Sequence, residues 1–269
     1  MSNDTLTIKF DSYPNGVNSS IAKTIVTSTY GIYVLDCNDD DAPEPDYEYV
    51  SVPGRNGDLT LWNGKYKNKM ITYECLCTNN ARTNVPAFFN DILAQTGPAR
   101  LEDTFHTDYF KKGVFVGNTQ PGYTDGGKCA RFSITFNCQP QKWLFSGEQE
   151  IVLTTSTRNY TIPTLFPFKP LLKIQGYGTA YFNANLVMIQ VLRPADSGTE
   201  VGSANYLMYD AEMNYAYKSN TKESLNSNVT LYSVSTYHQI YEMKFQGTVF
   251  QARTASTLTV SVTPRWWKI

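Results

Sequence analysis

The chain has 269 residues, enough for about two domains at roughly 150 residues each. Hydrophobic residues make up 41%, aromatics 14% and charged residues only 17%, a composition that can fill packed cores and excludes a disordered chain. Lys and Arg number 23 against 24 Asp and Glu, for a formal charge of -1, so no cationic excess exists to neutralise a phosphate backbone and tight nucleic-acid binding is disfavoured.

The opening segment Met1-Ser-Asn-Asp-Thr-Leu-Thr-Ile-Lys-Phe10 carries neither the basic leader nor the apolar block of a secretory signal. The best apolar run, Leu186–Ile189, stops at Gln190, far short of the roughly 18 residues of a membrane helix. A soluble chain made in the cytosol and free of membrane is expected. Its cysteines, Cys37, Cys75, Cys77, Cys129 and Cys138, are odd in number and are expected as buried thiols rather than a disulfide framework. Sequons such as Asn159-Tyr-Thr and Asn228-Val-Thr then carry no meaning, because glycosylation requires export.

Period-2 alternation opens the chain, with Leu6, Ile8 and Phe10 facing one way and Thr7 and Lys9 the other. An acidic stretch follows, Asp39, Asp40, Asp41, Glu44, Asp46 and Glu48. It lacks an EF-hand register, and Pro43 and Pro45 suit an extended, solvated loop. Gly54-Arg-Asn-Gly57 reads as a tight turn between two strands. Ile71, Tyr73, Cys75 and Cys77 share the buried face of the next strand, the thiols serving as small apolar fillers. One helix is predicted over Pro86–Thr96: Pro86 takes a first-turn position, Phe89, Ile92 and Leu93 fall at helical spacing, and Gly97-Pro98 ends the run. Gly122-Tyr-Thr-Asp-Gly-Gly127-Lys128-Cys129 has phosphate-loop spacing, but Cys129 replaces the magnesium-binding hydroxyl and the loop leads into a strand, so a hairpin turn is the better reading. That strand places Ala130, Phe132, Ile134, Phe136 and Cys138 opposite Arg131, Ser133, Thr135 and Asn137.

The texture changes near residues 140–148, which divides the chain into domains 1–145 and 146–269. Gln149–Thr155 is a candidate strand, and Pro163, Pro167 and Pro170 then mark a crossing segment rather than a central strand. Short strands follow at Leu171–Gln175, Thr179–Asn183, Leu186–Leu192, Asn205–Tyr209, Val229–Tyr232, Glu242–Gln246 and Leu258–Pro264, the pattern of a β-sandwich.

Catalysis is hard to build from these residues. The two histidines, His106 and His238, lack further ligands at metal spacing, and no Gly-x-Ser-x-Gly elbow occurs. Asp210 and Glu212 are the nearest approach to a glycosidase pair, within what reads as a strand end and turn. Tyr181, Tyr206, Tyr209, Tyr215, Tyr217, Trp266 and Trp267 could stack on sugars, although sandwich cores and interfaces are rich in the same residues. No catalytic residue, metal or cofactor is expected.

Six stretches in order carry a resemblance: Val52-Pro-Gly-Arg-Asn-Gly-Asp58 with its flanks Tyr47-Glu-Tyr49 and Leu59-Thr-Leu-Trp62; Ala99–Tyr109; Phe136–Trp143; Phe166–Gly176; Tyr206–Tyr217; and Pro264-Arg265-Trp266-Trp267-Lys-Ile269. Together they resemble the bacteriophage distal tail protein family, the siphophage-type hub of the tail tip or baseplate. Val52, Pro53, Gly54, Arg55, Asn56, Gly57, Asp58, Pro264, Arg265, Trp266 and Trp267 are then structural motif residues. The resemblance implies a tail-tube-like β-barrel or split sandwich with one flanking helix, followed by a galectin-like β-sandwich. It also implies a homo-hexameric ring in the virion, between the tail tube protein and the tail-tip or baseplate receptor-binding proteins. DNA would pass through the bore without specific binding, with Asp39, Asp40, Asp41, Glu44 and Asp46 as a channel-proximal acidic loop. A carbohydrate-binding host-adhesion protein is the alternative. The length leaves little room for the inserted sugar-binding modules that some family members carry.

Overall fold

A computed structural model describes residues 4–11, 21–95, 97–153, 156, 158–176, 178–182, 187–191, 207–219, 223–233, 239–240, 245, 249–254 and 258–269. The chain divides into two compact units, residues 1–142 with Ile269, and residues 143–268.

The first unit contains β1 (Leu6–Asp11), β2 (Ile21–Val26), β3 (Ile32–Cys37), β4 (Pro45–Val50), β5 (Leu59–Tyr66), β6 (Lys69–Cys77), helix α1 (Ala81–Leu93), β7 (Ala99–Asp103), β8 (Tyr109–Asn118), β9 (Gly122–Thr124) and β10 (Cys129–Cys138). Its main sheet is antiparallel in the order β2-β1-β7-β8-β10-β6-β3, with β9 added to β10. The sheet curls on itself: the Val34 amide of edge strand β3 donates to the carbonyl of Asp4, just before β1, at 2.8 Å. The inward phases are those the alternation predicts. Leu6, Ile8, Phe10, Ile71, Tyr73, Cys75, Cys77, Ala130, Phe132, Ile134, Phe136 and Cys138 are all buried in one core. The 122–129 segment is a hairpin, with Thr124 opposite Cys129 and Tyr123 opposite Ala130; a single 3-10 turn, Asp125–Gly127, forms its tip and leads into β10 rather than into the α-helix of a phosphate loop.

The helix departs from its predicted bounds. It begins at Ala81 and runs through Pro86 to Leu93; Thr96 lies outside the described residues. The burial stripe Ala81, Val85, Phe88, Ile92 explains the earlier start, since these residues sit at i, i+4, i+7 and i+11 against the core. Pro86 is on the exposed side, where water can satisfy the Arg82 carbonyl that proline leaves without an amide partner. Of the three residues at helical spacing, Ile92 is buried, Phe89 packs at the core's margin and Leu93 is 65% exposed.

Close packing fixes one glycine. A Cβ on Gly113 of β8 would lie 2.6 Å from Cys138 Sγ and 3.0 Å from the Asn137 carbonyl oxygen on β10. Gly113→Ala is expected to destabilise the protein by about 1–3 kcal/mol through overpacking, read as a lower urea midpoint. An unchanged midpoint would contradict this packing.

The second unit is built from β11 (Lys142–Leu144, at the boundary), β12 (Ile151–Val152), β13 (Arg158–Thr161), β14 (Leu171–Gly176), β15 (Gly178–Phe182), β16 (Val187–Val191), β17 (Leu207–Asp210), β18 (Tyr215–Lys218), β19 (Val229–Ser233), β20 (Gln239–Ile240), β21 (Val249–Thr254), β22 (Leu258–Thr263) and β23 (Trp267–Lys268). β12 to β22 form a five-stranded sheet β12-β22-β14-β17-β18 and a six-stranded sheet β13-β21-β15-β16-β19-β20, while β23 pairs with β11. Leu172, Ile174, Leu207, Tyr209, Val260 and Val262 are buried on the first sheet, and Ala180, Ile189 and Leu231 on the second. This is the β-sandwich expected from the short-strand pattern. Of the predicted Glu242–Gln246 strand only Phe245 is described, paired with Phe168 as an isolated bridge whose rings meet edge-on at 5.6 Å. Gln149–Thr155 is reduced to Ile151–Val152, with residues 154 and 155 outside the described set.

Candidate assembly surface

Strands β4 and β5 form a two-stranded sheet of their own, apart from the main sheet. Tyr47 faces Trp62, Glu48 faces Leu61, Tyr49 faces Thr60 and Val50 faces Leu59. One face of this hairpin is therefore aromatic and the other aliphatic with one acid. Tyr47 and Tyr49 lie 6.4 Å apart, and Trp62 meets Tyr66 edge-on at 6.4 Å. Tyr49 is 64% and Trp62 58% exposed, and Val50, Leu59 and Leu61 are exposed as well. A lone two-stranded hairpin is marginal in water, and one with apolar side chains on both faces marks an interaction surface.

The motif Val52-Pro-Gly-Arg-Asn-Gly-Asp58 is the tip of this hairpin, and all seven residues are exposed. The Arg55 amide donates to the Val52 carbonyl at 3.2 Å, and Gly54 has φ +80°, which makes Val52–Arg55 a type II turn with Pro53 at its second position. Gly57, at φ +78°, completes the reversal.

At the hairpin's root the expected solvated acidic loop is corrected at Asp39, which is only 2% exposed. Lys111 Nζ lies 2.9 Å from Asp39 Oδ2 and 2.9 Å from Asp103 Oδ2. The Tyr109 hydroxyl donates to Asp39 at 2.7 Å and the Tyr73 hydroxyl to Asp103 at 3.1 Å. Lys69 and Lys142 approach Asp39 at 3.6 and 3.8 Å, and Lys142 Nζ also donates to the Asp39 carbonyl at 3.0 Å. Burial alone would raise the Asp39 pKa, but Lys111 and the hydrogen bonds from Lys111 and Tyr109 outweigh it and hold it below the usual carboxylate value. Burial opposes the Lys111 charge, yet Cys37, Asp103 and Asp39 keep its pKa raised. The Asp39 carboxylate is therefore consumed inside the fold. Glu44 pairs with Lys67 at 2.8 Å and Asp46 with Lys65 at 3.3 Å along the hairpin root, while Asp40 and Asp41 are exposed.

His106 is tied into the same cluster, with Nδ1 2.8 Å from Asp103 Oδ1 and its ring over Tyr109 at 4.8 Å. His238 lies outside the described residues. All five cysteines are free thiols, and burial pushes Cys75 and Cys138 up to about 12, away from nucleophilic reactivity. Among the described residues no group of three or more His, Cys, Asp or Glu is placed to hold a metal.

In the second unit, Arg265 joins Asp210 through two parallel bonds, Nη1 to Oδ1 at 2.8 Å and Nη2 to Oδ2 at 2.9 Å. Asp210 also accepts the amide of Glu212 at 2.9 Å, so it closes a turn and holds an arginine instead of forming an acid–base pair with Glu212. Arg265 has φ +58°, and its amide donates to the Gly147 carbonyl at 2.7 Å. Trp266 is buried. Trp267 stacks on Phe166 at 4.6 Å, its indole N–H reaches the Pro167 carbonyl at 3.0 Å, and its own carbonyl accepts the Thr164 hydroxyl. Pro264–Trp267 thus fastens segments 144–147, 164–168 and 207–217 together. Trp266 is thus closed to a sugar, and Trp267 turns one ring face to Phe166, while Tyr215 stacks on Tyr217. Tyr209 and Tyr217 are buried as well; Tyr206 and the Tyr181 side chain lie outside the described residues.

The Lys111 cluster was missed from sequence, although a signal was present. Lys111 falls in phase with Tyr109 and Phe115 on β8, and Asp103 in phase with Ala99 and Leu101 on β7, so two charges occupy inward positions of apolar strands.

No family model matches the chain, and no curated protein matches it. Among solved structures, the SPP1 Dit protein (gp 19.1), described as a paradigm of the hub adsorption apparatus in phages infecting Gram-positive bacteria, is similar with a TM-score of 0.58 and 12% identity over 96% of this chain and 97% of its own. The phage P2 baseplate in its activated conformation matches over the same shares at 9% identity, with TM-scores of 0.46 for the calcium form and 0.41 for the strontium form. Over nearly its whole length, this chain has the fold of the SPP1 distal tail protein.

Proposed function

We propose that this protein is a structural component of a phage or prophage tail, a homo-hexameric ring joining the distal tail tube to the tail tip or baseplate and its receptor-binding proteins. The observation that carries this reading is the likeness to SPP1 Dit across both units, at 96% coverage. Its exposed two-faced hairpin supports it, because such a surface belongs in an assembly.

In a cyclic ring each first unit presents two different surfaces to its neighbours, a heterologous contact that closes. Low charge density favours these interfaces, whose buried centres are depleted in charged residues. Six copies at -1 leave the ring mildly acidic, so DNA passes without being captured. Exposed Asp40 and Asp41, with the hairpin-root acids Glu44 and Asp46, are the carboxylates proposed to approach the bore; Asp39 is excluded by its burial. The second unit docks the receptor-binding apparatus, and the protein works by position, without an enzymatic step.

Light scattering coupled to size exclusion tests the reading. A mass six times that of the chain, alone or with tail tube subunits, is expected. A monomer under both conditions would overturn it.

A further inference from the structure

We infer that Asn56, at the tip of the β4–β5 hairpin, is a site of spontaneous covalent modification. Its side-chain amide is lost as ammonia through a cyclic imide formed with Gly57, and aspartate or isoaspartate remains. The inference is independent of the ring reading.

The chain carries three Asn-Gly pairs, Asn15-Gly16, Asn56-Gly57 and Asn63-Gly64. The first lies outside the described residues. In the reaction the Gly57 amide nitrogen gives up its proton and attacks Cγ of Asn56. The new C–N bond closes a five-membered imide, the bond from Cγ to Nδ2 breaks, and that nitrogen leaves with a proton as ammonia. Water then opens the ring. Addition at Cγ yields aspartate, and addition at the main-chain carbonyl yields isoaspartate, with the chain now running through the side chain. Water is the sole co-reactant. Glycine in the following position favours closure, because no Cβ shields its nitrogen and its backbone turns freely.

The surroundings of the two described pairs differ. Asn56 and Gly57 are exposed and lie beyond the last ladder pair, Val50 with Leu59. Gly57 has φ +78°, and no atom comes within 4 Å of where its Cβ would stand. Among the described residues, neither the Asn56 carboxamide nor the Gly57 amide has a hydrogen-bond partner. Ring closure at the tip therefore breaks no contact. Asn63-Gly64 sits inside β5, between the Tyr47–Trp62 and Pro45–Tyr66 pairs, and Asn63 Nδ2 donates to Asp46 Oδ2 at 3.3 Å. Closure there must release that bond and disturb the strand, so Asn56 reacts first. Its product sets a second carboxylate beside Asp58 in the Val52–Asp58 motif, one negative charge beyond the formal -1 of the chain. Isoaspartate also adds a backbone carbon to the reversal that Gly57 completes.

The experiment incubates the full-length protein at mildly alkaline pH and physiological temperature and follows each site by peptide mapping with mass spectrometry. Asn56 is expected to convert at least about fivefold faster than Asn63, the effect of one hydrogen bond on the barrier, with isoaspartate exceeding aspartate. In urea, where both contexts are lost, the two rates should converge. Asn56→Gln, whose longer side chain closes a less favourable six-membered ring, should abolish the signal from the tip. Equal rates in the folded protein, faster conversion at Asn63, or an Asn56 still amidated when the urea-unfolded chain has converted would overturn the inference, and each leaves the ring reading untouched.

Discussion

Lys111→Met is expected to destabilise the first unit by about 3–5 kcal/mol, the cost of breaking a buried charge cluster by removing one partner. Lys111, Asp39 and Asp103 are almost entirely shielded, and the ammonium is 2.9 Å from each carboxylate. Without it, Asp103 retains only the Tyr73 hydroxyl and His106, and Asp39 relies on Tyr109 and the more distant Lys69 and Lys142. Urea unfolding followed by far-UV circular dichroism would show the loss. The triple variant Lys111→Met, Asp39→Asn, Asp103→Asn should recover much of it, because an uncharged cluster leaves no ion without a partner. A triple variant as unstable as the single one would mean that packing, not charge, sets the cost. The same cluster fixes the acid response. Asp39 has its folded pKa depressed, so its contribution is fully present above the ordinary carboxylate value of about 3.9 and is lost as pH falls through the folded value. Asp39→Asn should therefore flatten the fall in stability below about pH 4.

Arg265→Ala is expected to cost about 3 kcal/mol in the second unit, by leaving the shielded Asp210 carboxylate without its two charge-assisted bonds. Arg265→Lys should rescue little, since a point charge cannot reproduce the two-pronged geometry. Gly147 packs directly on this segment, where a Cβ would run into the Trp266 backbone nitrogen. A double-mutant cycle with Asp210→Asn checks the assignment. If the pair acts as one contact, the double variant is no less stable than the worse single one. Strict additivity would show that Arg265 acts elsewhere.

Alternation made most of the first unit legible. Where one face of a strand is buried against a core, side chains must obey period 2, and the β1, β6 and β10 inward residues follow from sequence. The helix start did not, because proline at a first turn is a strong local preference, and it was overridden by a burial stripe beginning five residues earlier. In the second unit β14, β16 and β22 were legible, while Tyr215–Lys218 and Val249–Thr254 were not. Tyr215–Lys218 is only four residues long, too short for an alternation to stand out, and Val249–Thr254 mixes polar and apolar types on both faces and pairs with Gly178–Phe182, far back along the chain. The hairpin motif was readable as a turn, since Pro53 and Gly54 dictate it locally. Its exposure was not readable, for that depends on what the rest of the chain leaves uncovered. The acidic stretch misled at Asp39 for the same reason: the ions that neutralise it come from β6, β8 and residue 142.

The most direct measurement is electron microscopy of the purified full-length protein, with and without tail tube subunits. Class averages should show a six-fold ring with a central opening. Isolated single subunits in both preparations would contradict the account.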